Sequence, residues 1–99
     1  MKTTTEIQIE YSKVIAQSRK LDACADDLRT LYKELDDITS DLRAGWAGES
    51  ADIYLSKCQE LRDKLRSSQL GLRQTSSVVR RTAELYRAAE LAAIAIVKD

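Results

Sequence analysis

Histidine is absent from the 99 residues, and the groups left that could do chemistry are two cysteines, Cys24 and Cys58, four tyrosines and sixteen carboxylates. The usual metal sets and His-activated nucleophiles need a group titrating near neutrality or a soft ligand cluster, so those chemistries are excluded and no cofactor or metal is expected. The carboxylates are interleaved with sixteen Lys and Arg in helical register, and no Gly-rich loop sets any of them apart. Carboxylate catalysis has nothing in its favour, and the chain reads as a non-enzyme. The spacing that remains is aromatic with acid. Tyr86 with Glu90, and Tyr32 with Asp36, stand four residues apart, which puts phenol and carboxylate on one face of a helix as a surface another protein can read. The single tryptophan, Trp46, stands two residues before Gly48. It either plugs the end of a helical pair or serves as an exposed binding anchor.

The elements that must position these residues are helices. The sequence contains no proline, and two of its three glycines, Gly45 and Gly48, mark one break near its middle. Before the break, Ile7, Val14, Leu21, Leu28, Leu35 and Leu42 recur every seventh residue, with Tyr11, Ala25, Leu31, Tyr32 and Ile38 in the adjoining stripe. After it, Ala51, Cys58, Leu65, Leu72, Val79, Tyr86 and Ala93 repeat the pattern beside Tyr54, Leu55, Leu61, Val78, Leu85, Ala89 and Ile96. Thr3 with Glu6 fits a capping box. The reading is a single all-α domain over residues 1–99: a helix from about 5 to 43, a turn at about 44 to 48 and a helix from about 49 to 96. Gly71 within the second helix predicts at most a mild bend, and Ser68, Thr75 and Thr82 predict a seam of small polar residues.

Charge and length extend this to an assembly. The segment Asp22–Asp41 carries a net charge of −5 and Arg62–Arg81 a net +5, which favours antiparallel pairing, although ordinary solvated faces explain the same pattern. Two helices of this kind, each roughly 60 Å long, share one seam and leave apolar surface wet. Two such antiparallel hairpins side by side make a four-helix bundle, in which Ile9, Ile15, Tyr32, Leu55 and Val78 gain a second burial surface. Cys24 and Cys58 are then small core residues, about 15 Å apart along the hairpin and too far for a disulfide within the chain. The stretch Leu85–Val97 is apolar nearly all round, which points first to a partner, then to packing inside a dimer, and only distantly to shallow membrane contact.

The formal net charge is zero, so nucleic acid has no electrostatic claim on the chain. Met1-Lys2-Thr3-Thr4-Thr5-Glu6 has no apolar core of a secretory signal, and no apolar run approaches the roughly 20 residues of a membrane span. Synthesis as a soluble cytoplasmic chain is expected, without stable membrane insertion.

A chain of this length with Ala44-Gly45-Trp46-Ala47-Gly48-Glu49 between two long heptad helices resembles the WxG family of early secreted antigen-like proteins, over its full length. The family's second element, Tyr-x-x-x-Asp/Glu, is matched by Tyr86-Arg87-Ala88-Ala89-Glu90. The resemblance implies a small helical hairpin that forms an antiparallel homodimer, or pairs with a related hairpin protein. It also implies export by a type VII secretion system of mycobacteria or Gram-positive bacteria without a cleaved signal peptide, and a role as a virulence factor or co-exported partner. The implied site residues are Trp46 and Gly48 at the turn and Tyr86 and Glu90 as the C-terminal export motif, the two brought close across the dimer and read by the secretion ATPase. The alternative is an accessory helical partner that escorts a larger type VII toxin.

Overall fold

The structure is a computed structural model that describes residues 1–98. Two helices, α1 (Thr4–Gly45) and α2 (Glu49–Lys98), run antiparallel as a hairpin, as the double heptad predicts. α1 begins where the Thr3 hydroxyl accepts the Glu6 N–H at 3.1 Å and the Thr3 carbonyl accepts the Ile7 N–H at 3.1 Å, so two of the orphan donors of the first turn are satisfied. α2 begins on Gly48, whose φ of 115° suits glycine and whose carbonyl accepts the Asp52 N–H at 3.0 Å. Glu49 and Asp52 in that first turn complement the helix dipole. α2 continues without a break through Gly71.

The hairpin comprises two compact units, one built from Met1–Asp22 with the chain from Arg73 onward, the other from Ala23–Leu72. In the first unit Ser18 and Ser76 face each other, both fully buried. The Ser76 hydroxyl donates to the Ser18 carbonyl across the hairpin at 2.8 Å, and the Ser18 hydroxyl donates back to the Ile15 carbonyl at 2.8 Å. Arg80 donates to Ser76 Oγ at 2.8 Å and to Asp22 at 2.6 Å, which holds the Asp22 carboxyl below its ordinary value. Nearby the Tyr11 hydroxyl donates to Glu84, while the Arg87 guanidinium lies 4.2 Å above the Tyr11 ring and pairs with Glu84 at 2.7 Å. Tyr11 is the main reason, and Arg87 a lesser one, that the Glu84 carboxyl is held low; the same bond raises the Tyr11 phenol.

The second unit is closed by Ala25, Ala51 and Leu55, with Thr39 and Gln69 buried beside them. Thr39 hides its hydroxyl by donating to the Leu35 carbonyl at 2.7 Å. Arg62 clasps one side, bonding Asp36 through two contacts of 3.0 and 3.2 Å with its guanidinium 5.2 Å over the Tyr32 ring.

Several seam expectations need correction. Leu31, Ile38, Tyr54, Leu61, Leu85 and Ile96 are half or more exposed, and Tyr86 is 67 % exposed. Ser68, Thr75 and Thr82 are exposed too; the polar residues that α2 buries at the seam are Gln69 and Ser76, each one position on from the expected Ser68 and Thr75. Seven residues fall 20° short of two full turns, so a strict heptad rotates off a straight contact by roughly 100° over five repeats. In α2 the half-buried positions therefore pass from Val79 to Ala83, Arg87, Leu91 and Ile94, leaving Tyr86 and Ala93 outside. Two helices also share only one narrow seam, so flanking side chains have nothing above them. For that reason Cys24 is exposed and Cys58 half-buried rather than core, while Leu55, expected on the outer surface, is a seam residue.

Candidate partner-binding surfaces

In the Ala23–Leu72 unit, Trp46 leaves the end of α1 and meets Tyr54 on the second turn of α2, ring centroids 5.5 Å apart and planes tilted by 54°. Such an offset aromatic pair is held by its quadrupoles as well as by burial. The indole is still 40 % exposed and Tyr54 51 %. Trp46 thus packs on Tyr54 of its own hairpin while part of the indole stays open to solvent. Tyr54 was not visible in the sequence as its partner, and only its place one to two turns after the glycine break hints at it.

The same unit carries an apolar strip. Leu31 and Ile38 are seven apart on α1, and Tyr54 and Leu61 seven apart on α2. On each helix they are rotated the same way from the seam residues Leu28 and Leu35, or Cys58 and Leu65, and in an antiparallel pair equal rotations face the same side. The Asp36–Arg62 clasp is rotated the opposite way. The clasp and the apolar strip thus lie on opposite sides of this unit.

In the first unit, Val79, Thr82 and Ala83 are too short to fill the space opposite Ile7 and Val14, and a cleft of about 430 Å³ opens there. Tyr86 and Glu90, the export-motif pair, stand at its edge with Lys2 and Glu10. The Lys2 ammonium sits between two carboxylates, 2.7 Å from Glu10 and 3.2 Å from Glu90, and Glu10 first and Glu90 second raise its pKa. Lys2 and Glu10 escaped sequence reasoning because neither belongs to an apolar period. Trp46 and Gly48 belong to the other unit, so within one chain the two motifs are parts of different units. Further along α2, Leu91 and Ile94 are half-buried while Leu85, Ile96 and Val97 remain exposed, so the apolar stretch is only partly covered in one chain.

Among the described residues no group of three or more His, Cys, Asp or Glu is placed to hold a metal, and no helix is long and apolar enough to cross a membrane.

Comparison with known proteins agrees with this architecture. A family model described as "Proteins of 100 residues with WXG" matches residues 6–91. Among solved structures, "Geobacillus thermodenitrificans EsxA crystal form I" superposes with a TM-score of 0.76 at 16 % identity, covering 90 % of this chain and 99 % of that one. No curated protein sequence matches the chain.

Proposed function

Because the chain belongs to the WXG100 family, we propose that it is a small hairpin protein exported by a type VII secretion system, which acts by dimerising, being recognised by the secretion machinery and binding partners. The observation that carries the reading is the apolar strip of Leu31, Ile38, Tyr54 and Leu61, each 50–52 % exposed. Each has about 1 kcal/mol of burial still to gain, and a second copy laid antiparallel on the strip collects it twice. The product is a four-helix bundle. Across it the Trp46–Gly48 turn of one chain comes near Tyr86 and Glu90 of the other, forming a surface that pairs an aromatic anchor with a carboxylate for the translocation ATPase.

The exposed Leu85, Ile96 and Val97 favour a second role, as the accessory hairpin that escorts a larger toxin to the same machinery. The two roles separate on the purified protein: a stable homodimer supports the first, and an insoluble chain or a monomer awaiting its partner the second.

Export is tested by expressing Tyr86→Ala, Glu90→Ala and Trp46→Ala in the native host and comparing medium with cell pellet by immunoblot. Loss of secretion with helicity and dimer retained is the expected result for the first two, and reduced secretion for the third. Normal secretion of all three overturns the proposed signal.

A further inference from the structure

We propose that the cleft of one copy is filled by the apolar strip of a second: Leu31 and Leu61 of each chain seat against Val14 and Val79 of the other, while Lys13 and Lys20 pair with Glu34 and Asp27 of the other and fix the register. The inference rests on the dimer reading above and gives that dimer one alignment among those its apolar faces allow.

Strip and cleft share one side of each helix. Glu10 at the cleft stands three heptads before Leu31 on α1, and Thr82 three heptads after Leu61 on α2, each along an unbroken helix. When two such faces stack antiparallel, the two-fold lays α1 on the partner's α1 and α2 on the partner's α2. What remains to be set is how far one copy slides along the other. Charge sets it. Lys13, Lys20, Asp27 and Glu34 recur every seventh residue on the flank of the strip, three positions on from Glu10, Gln17, Cys24 and Leu31. All four are exposed, and among the described residues none is ion-paired within its own chain. Their signs reverse between residues 23 and 24, close to the middle of α1. A two-fold at that point sets Lys13 opposite Glu34 and Lys20 opposite Asp27, each pair formed twice. Its unfavourable contact, Glu6 with Asp41, falls at the outer ends of α1, where water and salt screen it. Sliding by one heptad sets Asp27, or in the other direction Lys20, against its own copy.

The same two-fold brings Leu31 and Leu61 of one copy to within about 3 Å, measured along the helix axis, of Val14 and Val79 of the other. Leu61 arrives with Leu31 because its neighbour Arg62 stacks on Tyr32, the residue after Leu31. The cleft's volume of about 430 Å³ takes two or three side chains, and these two are the ones delivered to it. Val14 and Val78, 38 % and 56 % exposed in one chain, are covered in the same step.

Cys24 reports the alignment in the natural chain. It is exposed, and a two-fold between residues 23 and 24 sets it beside its own copy, whereas Cys58 stays at least about 20 Å from any cysteine of the other chain. The test adds diamide, which accepts the two hydrogens released as two thiols join in one disulfide, to the purified full chain at the lowest concentration at which sedimentation shows a dimer. A covalent dimer is expected in the parent and in Cys58→Ser, and none in Cys24→Ser. Lys20→Glu, checked for unchanged helicity, is expected to weaken the dimer by about three- to tenfold, and Lys20→Glu combined with Asp27→Lys to restore it. A dimer that Cys24 does not cross-link, or that the double variant does not restore, overturns the alignment and leaves the dimer reading standing. A parent chain that stays monomeric at every concentration removes the dimer reading, and the alignment with it.

Discussion

Replacing Ser76 with valine tests a close approach of the two helices, and its sign separates two pictures of the seam. Ser76 is fully buried and donates to the Ser18 carbonyl at 2.8 Å, so the backbone of α1 lies within reach of a two-atom side chain. Ser76→Ala removes that bond and the acceptor for Arg80, a loss of about 1 kcal/mol. Alanine's better helix propensity returns roughly 0.5 kcal/mol of it. Valine adds a branched methyl where no room exists, and overpacking of this kind costs about 1–3 kcal/mol. The sum for Ser76→Val is a destabilisation of about 2–4 kcal/mol. In a loose heptad seam the same change would instead bury hydrocarbon and stabilise by about 1 kcal/mol. Thr75→Val is the control: Thr75 is exposed, so its substitution should stay within about 0.5 kcal/mol. Urea unfolding followed by far-ultraviolet circular dichroism, fitted at several protein concentrations because association shifts the midpoint, measures all three. A Ser76→Val midpoint above that of the parent would refute the close contact of residues 18 and 76.

The glycines divide by backbone rather than by space: Gly48→Ala, at φ 115°, should destabilise by about 1–3 kcal/mol, whereas Gly71→Ala, helical with nothing near its missing Cβ, should stabilise by up to about 1 kcal/mol in the same urea assay. Asp22 and Glu84 have carboxyls depressed in the folded state, so their stabilisation is complete above the unfolded values near pH 4 and is lost as pH falls through the lower folded values. Asp22→Asn and Glu84→Gln should therefore flatten the acid limb of a stability–pH profile, and an unchanged limb contradicts the pairing. Leu31→Glu with Leu61→Glu places charge on the apolar strip; sedimentation should move from twice the 11.1 kDa chain mass to the monomer, and a persistent dimer would assign association to another face. Tyr54→Ala should shift Trp46 fluorescence to the red, since the indole loses the ring that shields it.

The hairpin was legible in the sequence because a proline-free chain with apolar residues at helical spacing has one regular solution for its backbone hydrogen bonds. The cap at Thr3 and the break at Gly48 were equally local, since each depends on a side chain or a φ angle within four residues of the helix end. The residues Trp46, Gly48, Tyr86 and Glu90 were singled out by short spacings together with the family resemblance, and their role in export is the proposal made above.

What the tertiary structure alone decided is which edge of each apolar stripe faces the other helix. A heptad and a 3.6-residue turn differ by 20° per repeat, so phase is set by where the helices touch and not by the pattern on either one. Hence Ser18 and Ser76, unremarkable in sequence, became the centre of a seam, while Leu31, Ile38 and Leu61 were left outside it. The cleft beside Tyr86 has the same origin, because Lys2 and Glu90 are 88 residues apart and meet only once the register of the hairpin has been set by packing along both helices. Local geometry follows from a few neighbouring residues; a contact between distant ones depends on the sum of every seam interaction between them.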